Sequence, residues 1–158
     1  MSFRITGLSP EPFRHLFGMS DAELGRHGAQ RCVVDRPSAF PDRIELRDCV
    51  PGETVLLLNY LHQPADTPYR ASHAIFVREG ATAAYDAFDA IPPPLQARLI
   101  SLRAFDATHA MVDADVVEGV GLVPVIERFL ADPLVAYLHA HYAKRGCFAA
   151  RIDRAPVG

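Results

Sequence analysis

The chain has 158 residues, 49% hydrophobic and 22% charged, with a formal net charge of -3; that composition excludes wholesale disorder. The length suits one domain, residues 1–158, able to bury roughly 70% of the surface its unfolded chain exposes. Its longest aliphatic run, Val55-Leu56-Leu57-Leu58, is far short of the roughly 20 apolar residues a membrane-spanning helix needs, and no basic cluster marks a nucleic-acid partner.

The first residues lack an apolar signal region, so the cytoplasm is the expected location. Ser2–Leu8 alternates as a short strand. Ser9 and Pro10 then predict a helix carrying Phe13, Leu16 and Phe17 on one face, closed by Gly18. Ser20 and Glu23 form a capping box for a second helix ending near Gly28. From Ala29 onward strands dominate. Arg43–Arg47 alternates charged and apolar residues, and Pro51-Gly52 turns the chain. Val55–His62 and Ser72–Val77 are apolar on both faces and read as central strands. The loop joining them is too short for a parallel crossover, so they are expected to be antiparallel.

Ala81–Ala90 has helical spacing of Ala84, Tyr85 and Phe88, and Pro92-Pro93-Pro94 reads as a stiff connector after it. Leu99–Phe105 and Ala110–Val117 are the next strands. A helix follows, with Leu122, Ile126, Phe129 and Leu130 as its core stripe. Leu134–His141 and Phe148–Ile152 form a closing hairpin around Ala143–Gly146. The sum is an α+β fold, a mostly antiparallel sheet with a few flanking helices, arranged as a single layer pair around one core. Leu56, Leu58, Ile75, Val77, Leu99, Ile126 and Phe129 are its expected core residues.

The chemistry-bearing residues are unevenly spread. Lys144 is the only lysine, and its place in a turn argues against Schiff-base chemistry. Cys32, Cys49 and Cys147 have neither the count nor the spacing of a disulfide framework or a zinc ribbon, so free buried thiols are expected. Gly119-Val120-Gly121 lacks the third glycine of a dinucleotide loop, and no G-x-S-x-G marks a serine hydrolase.

Seven histidines stand out, as the side chain suited to proton transfer or metal ligation near neutral pH. His139 and His141 are two apart on one strand and share a face, about 7 Å apart by strand rise. Asp113 and Asp115, spaced likewise, are the candidate carboxylates for a two-histidine, one-carboxylate metal site. The bland alternative makes all four solvated strand residues. His62, Tyr69 and Arg70 surround a proline-restrained loop, where Arg70 is the expected anchor for a small polar or anionic molecule. That loop, with His139 and His141, is the expected ligand pocket, of a binding protein or an enzyme. Whether the two groups share one site stays open, as do the catalytic residues and any cofactor. The alternative is a non-catalytic homodimer joined through a sheet face or edge.

FRITGL, ETVLLLNYLHQPADTPYR, HAIFVRE, MVDADVVEG and HAHYAKRGCFAARIDR together resemble the bacterial family called domain of unknown function 1203, over essentially the whole chain. The resemblance implies a small single-domain protein without an assigned activity, and it carries no catalytic residue to this sequence.

Overall fold

The computed structural model describes residues 2–156. Its nine strands form two sheets. The larger has the order β5-β1-β9-β8-β6-β7 and the smaller the order β2-β3-β4. The larger contains β1 (Phe3–Thr6), β5 (Asp86–Phe88), β6 (Leu99–Asp106), β7 (Met111–Glu118), β8 (Val135–Tyr142) and β9 (Phe148–Arg154); the smaller contains β2 (Gln30–Val33), β3 (Thr54–Gln63) and β4 (Ala71–Arg78). Every strand pairing in both sheets is antiparallel. Three short helices accompany them, α1 (Asp21–Arg26), α2 (Pro93–Gln96) and α3 (Leu122–Ala131).

Alternation along the strands decides what each face of the larger sheet meets. Ile100, Leu102 and Ala104 of β6, Leu138 and Ala140 of β8, and Ala150 and Ile152 of β9 pack against Leu122, Ile126, Phe129 and Leu130 of α3. The intervening residues, among them Tyr137, His139 and His141, therefore project to the opposite face. A second cluster lies under the smaller sheet, where Leu56, Leu58, Ile75 and Val77 meet Phe13, Leu16 and, from α1, Leu24. A third, smaller group gathers Val34, Cys49 and Val55. The apolar side chains thus divide into three clusters where one core was expected. Leu99 is only half-buried because its neighbour Ile100 takes the core-facing position.

Three local expectations are corrected. Residues 9–17 form only a 3-10 turn at Arg14–Leu16, and Phe13, at the N-cap position before it, offers no side-chain cap. Ala81–Ala90 is not helical, since Asp86–Phe88 pairs with β1 and the Arg4 guanidinium grips Asp86 at 2.7 and 2.5 Å; this pairing outweighs the weak helical signal. The three prolines are not a bare connector, because Pro92 caps α2 and Pro93 occupies its first turn, where proline loses no helical hydrogen bond.

Residues 43–47 are a tight loop instead of a strand. The Asp42 carboxylate, fully buried, accepts the backbone N–H of Glu45 at 2.6 Å and of Arg78 at 2.7 Å. Leu46 adopts φ +49°, a value no strand residue takes. Arg43, far from facing water, is 2% exposed. Gly7 is required beside this loop, since a Cβ there would lie 2.1 Å from the Ile44 carbonyl oxygen.

A half-buried ion pair ties Arg31 of β2 to Glu79, the residue that follows β4. Glu79 accepts from Arg31 at 2.9 and 2.8 Å, from the Gly18 N–H at 2.7 Å and from the Thr54 hydroxyl at 2.9 Å. The Arg31 hydrogen bonds, ahead of all other causes, hold its carboxyl at about 2, below the ordinary 4.5. Such a group stabilises the fold above its unfolded pKa, and the contribution is lost as pH falls from 4.5 toward 2. Glu79→Gln should therefore cost stability at pH 7, and the gap between variant and wild type should narrow markedly by pH 3, closing only near pH 2. Urea titrations at both pH values test this; a gap independent of pH would contradict it.

Candidate functional site

Two β-bulges build the site. Along β3 and β4 the pairing steps from Leu61 with Ser72 to Gln63 with Ala71, leaving His62 as the unpaired residue. Along β8 and β9 it steps from Ala140 with Ala150 to His141 with Phe148, leaving Ala149 unpaired. A bulge locally bends its strand and re-aims side chains. Here the first turns His62 of the smaller sheet toward the larger one, and the second sets Phe148 beside His141.

His62, His139 and His141 meet between the sheets. One ring nitrogen from each lies within 4.8 Å of the other two, and all three residues are buried. Ring centroids are 4.8 Å apart for His62 and His141, and 6.3 Å for His139 with either of the others. The Phe148 ring lies in the middle, stacked on His62 at 5.7 Å and edge-on to His139 at 5.1 Å. Phe105 and Tyr137 close the His139 side at 5.0 and 5.3 Å. The surroundings are aromatic.

Three nitrogens in this cluster, His62 Nδ1, His139 Nδ1 and His141 Nε2, are buried without a hydrogen-bond partner. Native proteins satisfy nearly all buried polar atoms, so three orphans on three neighbouring rings demand an explanation. Burial, the largest cause in each case, depresses the pKa of His62 to about 4 and of His139 and His141 to about 3. The imidazoles are therefore neutral at physiological pH, the form in which their lone pairs bind metals. His141 Nδ1 lies 2.9 Å from the Gly146 carbonyl oxygen. A carbonyl only accepts, so Nδ1 carries the proton and Nε2 keeps its lone pair. Gly146 occupies the hairpin turn at φ +82°, where glycine meets no Cβ strain.

Arg103 stands next to His139 in the register of β6 and β8, on the same face. It is half-buried, and its one side-chain hydrogen bond among the described residues goes to the Ser101 hydroxyl at 3.3 Å. No carboxylate pairs with it there. Its positive charge adds to the depression of all three histidine pKa values. His73, opposite Tyr60 on β4, adds a similar effect on His62 and His141. Beyond the cluster, Gln63 donates to the Tyr137 hydroxyl at 3.0 Å, and His109 bonds the same hydroxyl at 2.7 Å.

The fold thus brings together His62, His139 and His141 and leaves the other candidates elsewhere. Tyr69 and Arg70 are exposed, and the Arg70 guanidinium is engaged by the Pro64 carbonyl within its own loop. Asp113 and Asp115 pair in register with Ala104 and Leu102, both core residues, and so lie on the α3 face, away from the histidines. Asp115 is held there by Arg128 of α3 at 2.6 Å. Arg103 and Phe148 were not singled out from sequence. An arginine interrupting the apolar run Leu99–Phe105 was the available signal for the first; nothing local distinguishes the second.

The fold and this cluster define a small α+β protein of two antiparallel sheets with a buried three-histidine centre between them. The chain belongs to the family described as protein of unknown function, DUF1203, whose profile matches residues 39–154. A search of curated proteins and a search of solved structures each give no match. The matched segment contains all three histidines and Arg103.

The His141 assignment is directly measurable. In long-range proton–nitrogen NMR spectra of metal-free protein at pH 7, His141 should appear as the neutral tautomer protonated at Nδ1. A signal for the Nε2-protonated form would contradict the bond to Gly146.

Proposed function

We propose that the protein binds a divalent transition-metal ion of the zinc type through His62, His139 and His141, and that Arg103 draws a small anionic or polar molecule to the ion's open position. The observation that supports this most is the convergence of three buried imidazoles from two different sheets, each of which also carries an unpartnered buried nitrogen. One ion would satisfy all three. Imidazole suits zinc, copper, iron and nickel, whereas magnesium and calcium take oxygen ligands, which this cluster does not offer.

Two ligands about 2.1 Å from one ion lie at most about 4.2 Å apart. The 4.8 Å span must then close by roughly 0.6 Å or more, within reach of small side-chain rotations. Three neutral ligands leave the ion its full double charge, and a zinc ion so held makes a bound water acidic near neutral pH. The reaction class that fits is water addition to, or hydrolysis of, a small anionic substrate. Arg103 supplies the fixed positive charge beside the ion, and the rings of Phe105, Tyr137 and Phe148 exclude bulk water.

Protein purified without a histidine tag should carry close to one equivalent of transition metal by elemental mass spectrometry. The His139→Ala/His141→Ala variant should carry almost none, and His62→Ala much less than wild type. Chelation should lower the melting temperature of wild type only, since an ion at a hundred times its Kd stabilises by about 2.7 kcal/mol. Equal metal content in wild type and the double variant would remove the reading.

A second reading, a homodimer, rests on the edge strand β7, where Val112 and Val116 are 47% and 57% exposed. An unpaired edge with apolar side chains is a template for pairing with another chain. Light scattering should then give a dimer mass that Val116→Lys converts to monomer; a monomer at all concentrations would dismiss it.

A further inference from the structure

A cleft of about 590 Å³ opens where the 36–43 segment meets β6 and the β8–β9 turn, away from the histidine centre. Tyr142, on its floor, follows His141 in β8 and so projects to the other face of the sheet. The cleft is strongly cationic in a chain of net charge -3. Five basic residues line it, Arg36, Arg43, Arg98, Lys144 and Arg145, against one acidic residue, Glu118. Two further carboxylates pair with lining arginines, Asp35 with Arg36 and Asp48 with Arg98. The local balance is 5 − 3, an excess of two positive charges.

The excess is not dissipated into the protein. Arg43 is buried and has no carboxylate partner among the described residues; it donates to the Phe148 and Pro41 carbonyls and to the Cys147 sulfur. Its guanidinium and that of Arg98 both lie against the ring of Tyr142, 4.9 and 5.2 Å from the centroid. Tyr142 is 5% exposed, and its hydroxyl is buried without a partner. Of the two cations on this ring only Arg98 has a carboxylate, Asp48, so the Arg43 charge and the orphaned hydroxyl are left for an anion to complete. One wall is apolar, with the Phe40 and Phe76 rings 5.1 Å apart. Lys144 and Arg145 stand exposed at the rim, with no ion pair among the described residues.

We infer that this cleft is a binding site for a phosphate monoester carried on a planar apolar body. A phosphate monoester carries about -1.5 to -2 at pH 7, matching the excess, and its oxygens suit arginine forks and a lysine. The volume falls in the range of small-molecule sites, and the Phe40–Phe76 wall receives the ring. Tyr142, whose pKa burial pushes up to about 12, stays a neutral donor throughout the physiological range. The site is independent of the metal reading.

Phenyl phosphate, inorganic phosphate and phenol are the probes, compared by isothermal titration calorimetry. Phenyl phosphate should bind more tightly than either fragment. Lys144→Gln/Arg145→Gln should weaken it about tenfold or more, with an unchanged melting temperature. Tyr142→Phe, which removes only the hydroxyl, should weaken it about fivefold. His62→Ala/His139→Ala should bind it as wild type does. No binding up to about 10 mM, or an affinity unchanged in both cleft variants, overturns the proposal; so does binding lost in the histidine variant and retained in Lys144→Gln/Arg145→Gln, which assigns it to the histidine centre.

Discussion

The arrangement of the two sheets depends on the Asp42–Arg43 pair of residues, threaded between them. Asp42 binds the smaller sheet through the Arg78 N–H, and the Arg43 N–H bonds the Phe76 carbonyl of the same strand. The Arg43 side chain reaches the other way, to the Phe148 carbonyl of β9 at 2.7 Å and the Cys147 sulfur at 3.1 Å. One residue thus hydrogen-bonds both sheets, with its guanidinium in a place where leaving a donor unmatched is costly. Phe148 is also the ring on which His62 stacks. The same contact that joins the sheets therefore sets the distance between His62 on one and His139 and His141 on the other.

This arrangement explains why the centre is buried and uncharged. Imidazoles gathered among Phe105, Tyr137 and Phe148 lose hydration, and burial disfavours their protonated form. Arg103 pushes in the same direction without neutralising anything. The fold carries three unsatisfied nitrogens, a cost that a protein tolerates most readily where function needs it. The bulges at His62 and Ala149 belong to the same logic, since each interrupts a regular ladder to aim a ring at one point.

Much of the fold was legible in the sequence because strand alternation and helix spacing are local. The runs Val55–His62, Ser72–Val77, Leu99–Phe105 and Ala110–Val117 identify β3, β4, β6 and β7 nearly to their ends, and the stripe from Leu122 to Leu130 identifies α3. The His-x-His spacing likewise placed His139 and His141 on one face. What misled was alternation in a segment that is not a strand. Residues 43–47 have the right pattern, but the Asp42 carboxylate takes the Glu45 N–H and curls the chain into a loop.

By itself the sequence determined which residues alternate toward a core and that two histidines share a strand face, because both follow from a period of two along one strand. It also marked His62, 77 positions before His139 in the chain (139 − 62), as a pocket residue, but it left open whether the two groups share one site and gave no sign that Asp113 and Asp115 would face away. Those outcomes depend on strand order, on register, and on an unpaired residue in each of two ladders. They are settled by contacts between distant segments, with Arg43 holding the sheets at the spacing that lets the three rings meet.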